Sequence, residues 1–375
     1  MRIPLIDLQA GFRPIRDEVL QRFDAVLDTM QLLNGPNVEA FEQEFAAYCG
    51  ARHGVAVSSG TDALCAALWA LDIGAGDEVI APSHTFFATI EAIMLAGATP
   101  VLVDVEPRSL TMDPEAFCAA ITPSTRAVIP VHVYGHPAAM EPIVEISRPR
   151  GIHVIEDAAQ AHGAWYQGSR CGSLGDMAAF SFYCTKNLGA YGEAGMVTTD
   201  DEAVADKVRG LRHHGQATRY EHVTLGRNLR MDELQASVLR LKLPDLDHRN
   251  RRRSAIAAHY ADALAGHPVQ VPVEQPGCTS VHHVYAIRSP NRDALKIYLE
   301  RAGIGTGVHY MVPGHLQPAL QHRPHRIAPM PVTESVRHQV LSLPMFPELT
   351  DEQIRYITDH IVRFFEQSTL QAAHA

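Results

Sequence analysis

The chain has 375 residues, 32 of them basic and 42 acidic, giving a net charge of −10; 46% of its residues are hydrophobic and 20% charged. This balance belongs to a globular protein long enough for two or three structural units, and it excludes a disordered or low-complexity chain. The acidic excess excludes the broad basic footprint of a nucleic-acid binder, while leaving room for local basic pockets that take a small anion.

In chain order, short apolar runs at 54–58, 77–81, 99–105, 126–132 and 151–156 read as buried strands. Between them, 61–71, 85–96, 114–121 and 138–148 read as helices. Such alternation predicts right-handed βαβ units and a mainly parallel sheet covered on both faces. The rhythm then changes. Strands at 176–182 and 195–199 are separated by a glycine-rich loop with no room for a crossover helix, so at least one of them pairs antiparallel or sits apart. Residues 231–243 form an amphipathic helix with Leu234, Val238 and Leu241 on one face, ended by Pro244. A long helix follows at 249–264; its Arg251–Arg253 run reads as a solvated face. After a proline-rich break come a strand at 284–288 and helices at 293–302 and 351–365. The expected organisation is a large α/β domain, 1–245, and a smaller α+β domain, 246–375.

The longest uncharged apolar stretch, 92–103, is too short to span a bilayer and holds Gly97 and Pro100, and Asp7 interrupts the first apolar segment, so neither a membrane span nor a signal peptide is expected. Six scattered cysteines without a CxxC pair read as reduced thiols of a cytoplasmic protein. The histidine clusters 213–214, 282–283 and 315/322/325 lack helical pairing with a carboxylate or a cysteine, and no metal site is expected.

Four segments carry candidate chemistry. SSGTDAL (58–64) lies where a strand passes into a helix: Gly60 permits a tight turn, Thr61 offers a hydroxyl, and the free N–H groups of the first turn suit a phosphate. An N-cap without a ligand explains the same residues. In APSHTFFAT (81–89), Phe86 stands at the next strand-to-helix switch, where an aromatic ring can stack on a planar cofactor; Phe87 reads as core. VIEDAAQAHGA (154–164) ends an apolar strand in acids and places Asp157 just past its carboxyl end, where it can pair with a pyridinium nitrogen or serve as a turn residue. Gln160 follows within reach of a ring oxygen. SFYCTKNLGAYGEAG (181–195) sets Lys186 among glycines; it is either a solvated loop residue or a Schiff-base lysine, and the latter must be partly desolvated.

A phosphate cradle, a stacking aromatic, a pyridinium-pairing acid and a lysine, in that order at strand ends, are what pyridoxal 5′-phosphate (PLP) requires. With IPLIDL (3–8), VDVEP (103–107), HGQATRYEHVTLGRNLRMDELQASVL (214–239) and HYMVPGHLQPAL (309–320), they make the chain resemble the DegT/StrS-type sugar aminotransferases of PLP fold type I over nearly its whole length. The resemblance implies a seven-stranded, mainly parallel sheet and a homodimer with shared active sites. Lys186 would carry PLP. Asp157 would pair with the ring nitrogen, Gln160 would bond near the ring hydroxyl, and Phe86 would stack. Gly60, Thr61 and Ser181 would hold the phosphate, and Asn228 would reach the partner's phosphate. L-Glutamate would be the donor and a nucleotide-linked keto-deoxyhexose the acceptor. Likeness to the carbon-3 subgroup puts Tyr183, His309 and Tyr310 in the sugar pocket, with Tyr220 reaching in from the partner. Arg219 and Arg230 are candidates for a diphosphate or a carboxylate. Cys184 and Thr185 replace the subgroup's usual Pro-Gly, Ala194 a glycine and Gly314 a bulky residue. Alternatives are a 4-keto sugar or keto-cyclitol acceptor, and a PLP-binding regulator without turnover. Sugar dehydration is disfavoured, because the family's dehydratases have histidine at the position of Lys186.

Overall fold

The buried runs assemble into a sheet because their apolar residues face both ways. Strands β1 (His53–Val57), β2 (Glu78–Pro82), β3 (Thr99–Val103), β4 (Thr125–Val128), β5 (His153–Asp157), β6 (Met177–Ser181) and β7 (Gly195–Thr199) are buried almost throughout. The computed structural model describes the backbone of residues 1–373 and the side chains of residues 1–367. With β8 (Arg326–Ile327), the strand order is β1-β7-β6-β5-β4-β2-β3-β8. All neighbours are parallel except β7, which runs antiparallel to both β1 and β6. The expected change of direction thus falls on β7, where a short loop replaces a crossover helix.

The sheet has eight strands, which corrects the expected seven. Its added edge comes from beyond residue 245: Arg326 and Ile327 pair with Val101 and Leu102. Two residues carry too little periodicity to announce a strand.

Alternate residues build the two faces. Val55, Val57 and Ala179 pack with Leu64 and Leu68 of helix Gly60–Ala70, whereas Ala56, Ala178, Phe180 and Phe182 pack against Phe41 and Phe45. The latter pair lies on helix Pro36–Cys49, which motif reading passed over, as it did Arg16–Thr29 and Glu202–Arg212. Its N-terminus is held by buried Glu233, which accepts from the N–H groups of Gly35, Asn37 and Val38 at 2.8–3.0 Å. A carboxylate there meets both the free N–H groups and the helix dipole.

A further apolar cluster gathers helices Leu246–Ala263, Arg292–Arg301 and Asp351–Ala373 over the antiparallel pair Tyr285–Arg288 and Val340–Leu343, and it includes Ile3. Here the solvated reading of 251–253 fails for Arg253. That side chain is buried and donates to the carbonyls of His282 (3.2 Å) and Met345 (2.9 Å), tying two distant segments together. Phe87 packs with Ile90, Leu102 and Leu320, as expected of core.

Candidate active site

The carboxyl ends of β1, β5 and β6 share one edge of the sheet with the start of β7. Gly195 pairs with Val57 on one side and Ser181 on the other. Ser59 caps the following helix, its hydroxyl accepting from Asp62 N–H at 3.1 Å and its carbonyl from Ala63 N–H at 3.0 Å. The first-turn N–H groups of Gly60 and Thr61 remain for a ligand. Glycine is required here by close approach: a Cβ on Gly60 would stand 2.5 Å from Ser181 Cβ, and one on Gly195 2.2 Å from the Ser59 carbonyl oxygen. The cap is in place, and it leaves the N–H groups that the phosphate reading needs, so the two sequence readings of this segment are compatible.

A cavity of about 460 Å³ opens over this edge. It is lined by Gly60, Thr61, Phe86, Asp157, Gln160, Ser181, Tyr183, Lys186, His309 and Tyr310, among others. Asp157 is buried; its Oδ2 accepts from Thr89 Oγ1 at 2.7 Å and its Oδ1 from Ala159 N–H at 3.2 Å. Burial raises its pKa, while the Thr89 hydroxyl, the Ala159 N–H and the charge of Lys186 pull it back. Phe86 is 60% exposed on the cavity wall, with its ring centroid 6.1 Å from that of Tyr310. An open aromatic face and a carboxylate lining one cavity suit a flat cationic ring.

Lys186 rises from a tightly curled loop. Its N–H donates to Tyr183 O and Ala190 N–H to Phe182 O, both at 2.8 Å. Neighbouring Asn187 is buried and donates to Asn250 Oδ1 and the Val281 carbonyl at 2.9 Å each. The Lys186 ammonium makes no hydrogen bond or salt bridge with another described residue. Burial pushes its pKa down to about 8, against the raising effect of Asp157 and Glu193. A lysine so placed supplies a useful fraction of neutral amine near neutral pH. The geometry fits PLP on the chain's own terms: a free amine, a facing carboxylate, an open aromatic wall and a glycine-lined anion seat share one cavity.

The opposite wall comes from far along the chain. Tyr134, held at φ 62°, donates its hydroxyl to the His309 carbonyl. A phenol has one proton, so His84 Nε2, 2.7 Å away, must be the donor to the Tyr134 oxygen. His84 is buried and its pKa is pushed down to about 4, consistent with a neutral ring. Gln160 is bonded at both ends, accepting from Tyr134 N–H at 2.6 Å and donating to Tyr310 Oη at 3.0 Å. It therefore spans the expected ring pocket and the Tyr310 wall. His309 Nδ1 lies 2.7 Å from Ser342 Oγ.

Four of the expected site residues do not line this cavity. Arg219 and Tyr220 lie at the turn between strands Gln216–Thr218 and Glu221–His222, where Tyr220 is 78% exposed. Asn228 bridges to His213, and Arg230 Nη1 donates to His213 Nδ1 at 2.9 Å. Conversely, sequence reasoning missed Thr89, His84, Tyr134, Glu193 and His283. Thr89 carried the only usable signal, lying on the same turn as Phe86. Among the described residues, His132, Glu156 and Cys171 form the group spaced for a metal. Its atoms are engaged within the protein: His132 Nδ1 accepts from Ala138 N–H, Nε2 meets Glu156 at 2.9 Å, and Glu156 also accepts from the N–H groups of Gly172, Leu174 and Gly175.

Residues 14–362 match the DegT/DnrJ/EryC1/StrS aminotransferase family. The chain is 46% identical over 367 residues to the dTDP-3-amino-3,4,6-trideoxy-alpha-D-glucose transaminase of Streptomyces venezuelae, covering 98% of this chain and 97% of that protein. It is also 46% identical over 361 residues to the UDP-N-acetyl-3-dehydro-alpha-D-glucosamine 3-aminotransferase of Acidithiobacillus ferrooxidans, covering 96% and 97%. The crystal structure of S. venezuelae DesV in complex with a ketimine intermediate matches with a TM-score of 0.94 at 46% identity, over 97% of this chain and 99% of that one. With the lysine, carboxylate, aromatic wall and anion seat gathered in one cavity, these likenesses establish that the chain belongs to the DegT/DnrJ/EryC1/StrS aminotransferase family.

Proposed function

We propose that this aminotransferase moves the amino group of L-glutamate to carbon 3 of a nucleotide-linked 3-keto-deoxyhexose, using PLP. The observation that carries the reading is the convergence of Lys186, Asp157, Phe86, Ser181 and the Gly60–Thr61 turn on one cavity. Relatives named for 3-amino sugars, one dTDP-linked and one UDP-linked, support carbon 3 and leave the nucleotide open. PLP, the cofactor of the family, supplies an electron sink that lets the α C–H bond of the donor ionise.

The remaining work belongs to the chain. The N–H groups of Gly60 and Thr61, with the Ser181 hydroxyl, hold the phosphate. Phe86 covers one ring face. Asp157 holds a proton on the ring nitrogen. Lys186 would anchor the cofactor, and its amine, once freed, would take a proton from the donor's α-carbon and give it back, acting as base and then as acid. Tyr183, His309 and Tyr310 flank the entrance where a sugar would lie.

Charge supports a shared active site in a homodimer. The cavity lining holds two acids, Asp157 and Glu193, and one amine, Lys186, but no arginine, although donor and acceptor are both anionic. Arg219, Tyr220, Leu225 and Asn228 are exposed, and on this reading they would reach into a second copy of the chain. The free cysteines support a cytoplasmic setting. Among the described residues no helix is long and apolar enough to cross a membrane. Regulation without turnover is not favoured, because it leaves the unpartnered Lys186 amine and the open cavity without a role.

The test is an absorbance spectrum with PLP before and after L-glutamate. The expected result is loss of the lysine-linked band with release of 2-oxoglutarate, followed by recovery on adding a nucleotide-linked 3-keto sugar. Recovery with a 4-keto sugar or a keto-cyclitol alone would overturn the carbon-3 assignment, and an unchanged band would overturn the glutamate donor.

A further inference from the structure

The Thr89 hydroxyl sits between two oxygens that both bear on the site. It lies 2.7 Å from Asp157 Oδ2 and 2.8 Å from Thr85 Oγ1, with the Phe86 carbonyl at 3.2 Å. Thr85 and Thr89 are almost fully buried, at 3% and 1% exposure. A hydroxyl has one proton to give, and an ionised carboxylate only accepts. With Asp157 ionised, the Thr89 proton is therefore committed to Asp157, and the Thr85 proton must point at Thr89. The two hydroxyls form a directed chain, Thr85 to Thr89 to Asp157. We propose that Thr85 and Thr89 are positioning residues that hold Asp157 ionised and aimed at the ring nitrogen of PLP. The inference rests on the proposed PLP function.

The same turn explains why the chain is built there. Thr85 precedes Phe86, and Thr89 follows it by three residues, so both side chains brace the turn that presents the aromatic wall. Thr89 N–H donates to the Phe86 carbonyl at 3.2 Å, closing that turn. One turn thus fixes what lies against the face of the ring and what faces its nitrogen. Three other titratable groups face Asp157: Lys186 from the glycine-rich loop, His132 after β4, and Tyr310 from the far wall. Lys186 favours its ionised form through charge, as Thr89 does through its hydrogen bond, and both oppose desolvation by burial. Removing the Thr89 hydroxyl leaves Lys186 and His132 in place, so the contribution of the chain can be read separately.

The experiment compares wild type, Thr89→Val, Thr89→Ser and Thr85→Val as holoenzymes, with circular dichroism as a check of folding. The readouts are the PLP dissociation constant and the pH midpoint of the absorbance change of the lysine-linked cofactor. Thr89→Val is expected to weaken PLP binding by roughly tenfold or more, the usual scale for losing a hydrogen bond to a charged group. It is also expected to raise the pH midpoint, because a less protonated ring nitrogen withdraws less charge from the lysine-linked carbon. Thr89→Ser should restore both values, and Thr85→Val should shift both in the same direction by less. Wild-type values in Thr89→Val, or a Thr89→Ser variant as impaired as Thr89→Val, would overturn the proposal; the second result would assign the effect to disturbed packing at this position and not to the hydroxyl. A wild-type protein with no PLP band would overturn the functional reading itself, which the variants alone would not do.

Discussion

The two walls of the cavity are built by different means. The floor is made at strand ends: Gly60 after β1, Asp157 closing β5, Ser181 closing β6, and Lys186 on the loop between β6 and β7. Each residue is placed by a short local motif, and sheet pairing brings the motifs together. The far wall depends on contacts between distant segments. His84, Tyr134 and His309 meet across 50 and 175 residues of chain, and Gln160 reaches Tyr310 across 150. The floor carries the groups that would handle the cofactor, and the far wall carries those that would meet the sugar. Chemistry common to a family would then sit on the sheet, and selection of an acceptor would fall to the wall assembled from distant segments.

This contrast can be broken from either side. Lys186→Ala should give the largest effect, abolishing the lysine-linked band and lowering turnover by roughly a thousandfold or more; near-normal turnover would remove Lys186 from the chemistry. Asp157→Asn should come next, with turnover lowered by roughly a hundredfold while PLP still attaches to Lys186; the separation of attachment from turnover is the measurement. Tyr134→Phe should touch the far wall alone. The His309 carbonyl and His84 Nε2 would each lose a partner, costing about 1–3 kcal/mol of stability and raising the acceptor KM by roughly tenfold. Glutamate half-reaction rates should stay near wild type, and a matching loss there would merge the two walls into one unit. The smallest effect is one of pH. The Lys186 pKa is lowered to about 8, so its neutral, nucleophilic fraction grows as pH rises. PLP attachment to the apoprotein should therefore accelerate from pH 6 and level off above about pH 8. A flat profile over that range would contradict the desolvated amine.

The same contrast explains what could be read from the sequence. The five strands expected before residue 160, the pair at 176–182 and 195–199, and the helices between them appear close to their expected places, because each is a short apolar run between turn residues. The floor residues were legible because glycine, acid and lysine fall at strand ends, where open α/β sheets bind ligands. Tyr134 and His84 were not, since neither differs locally from a core aromatic or a core histidine. Arg253 was misread for a related reason: a basic run on a helix reads as solvated unless its partners, here two carbonyls from separate segments, can be seen. The hairpin and Asn228 were assigned to a partner's site by family resemblance alone, and the fold of one chain leaves them outside its own cavity.

The position of β7 has a consequence for the order of assembly. β1 lies at the edge of the sheet and pairs with β7, whose residues follow those of β1 by some 140 positions. Emerging from the ribosome, the first strand must wait for one of the last before it can pair, whereas β2 and β3 can join early. The proposed phosphate seat lies at this late seam, where Ser59, Gly60, Ser181 and Gly195 crowd together. The cofactor would thus find its seat only on chains that have closed the sheet, and by mass action it would trap them in that form.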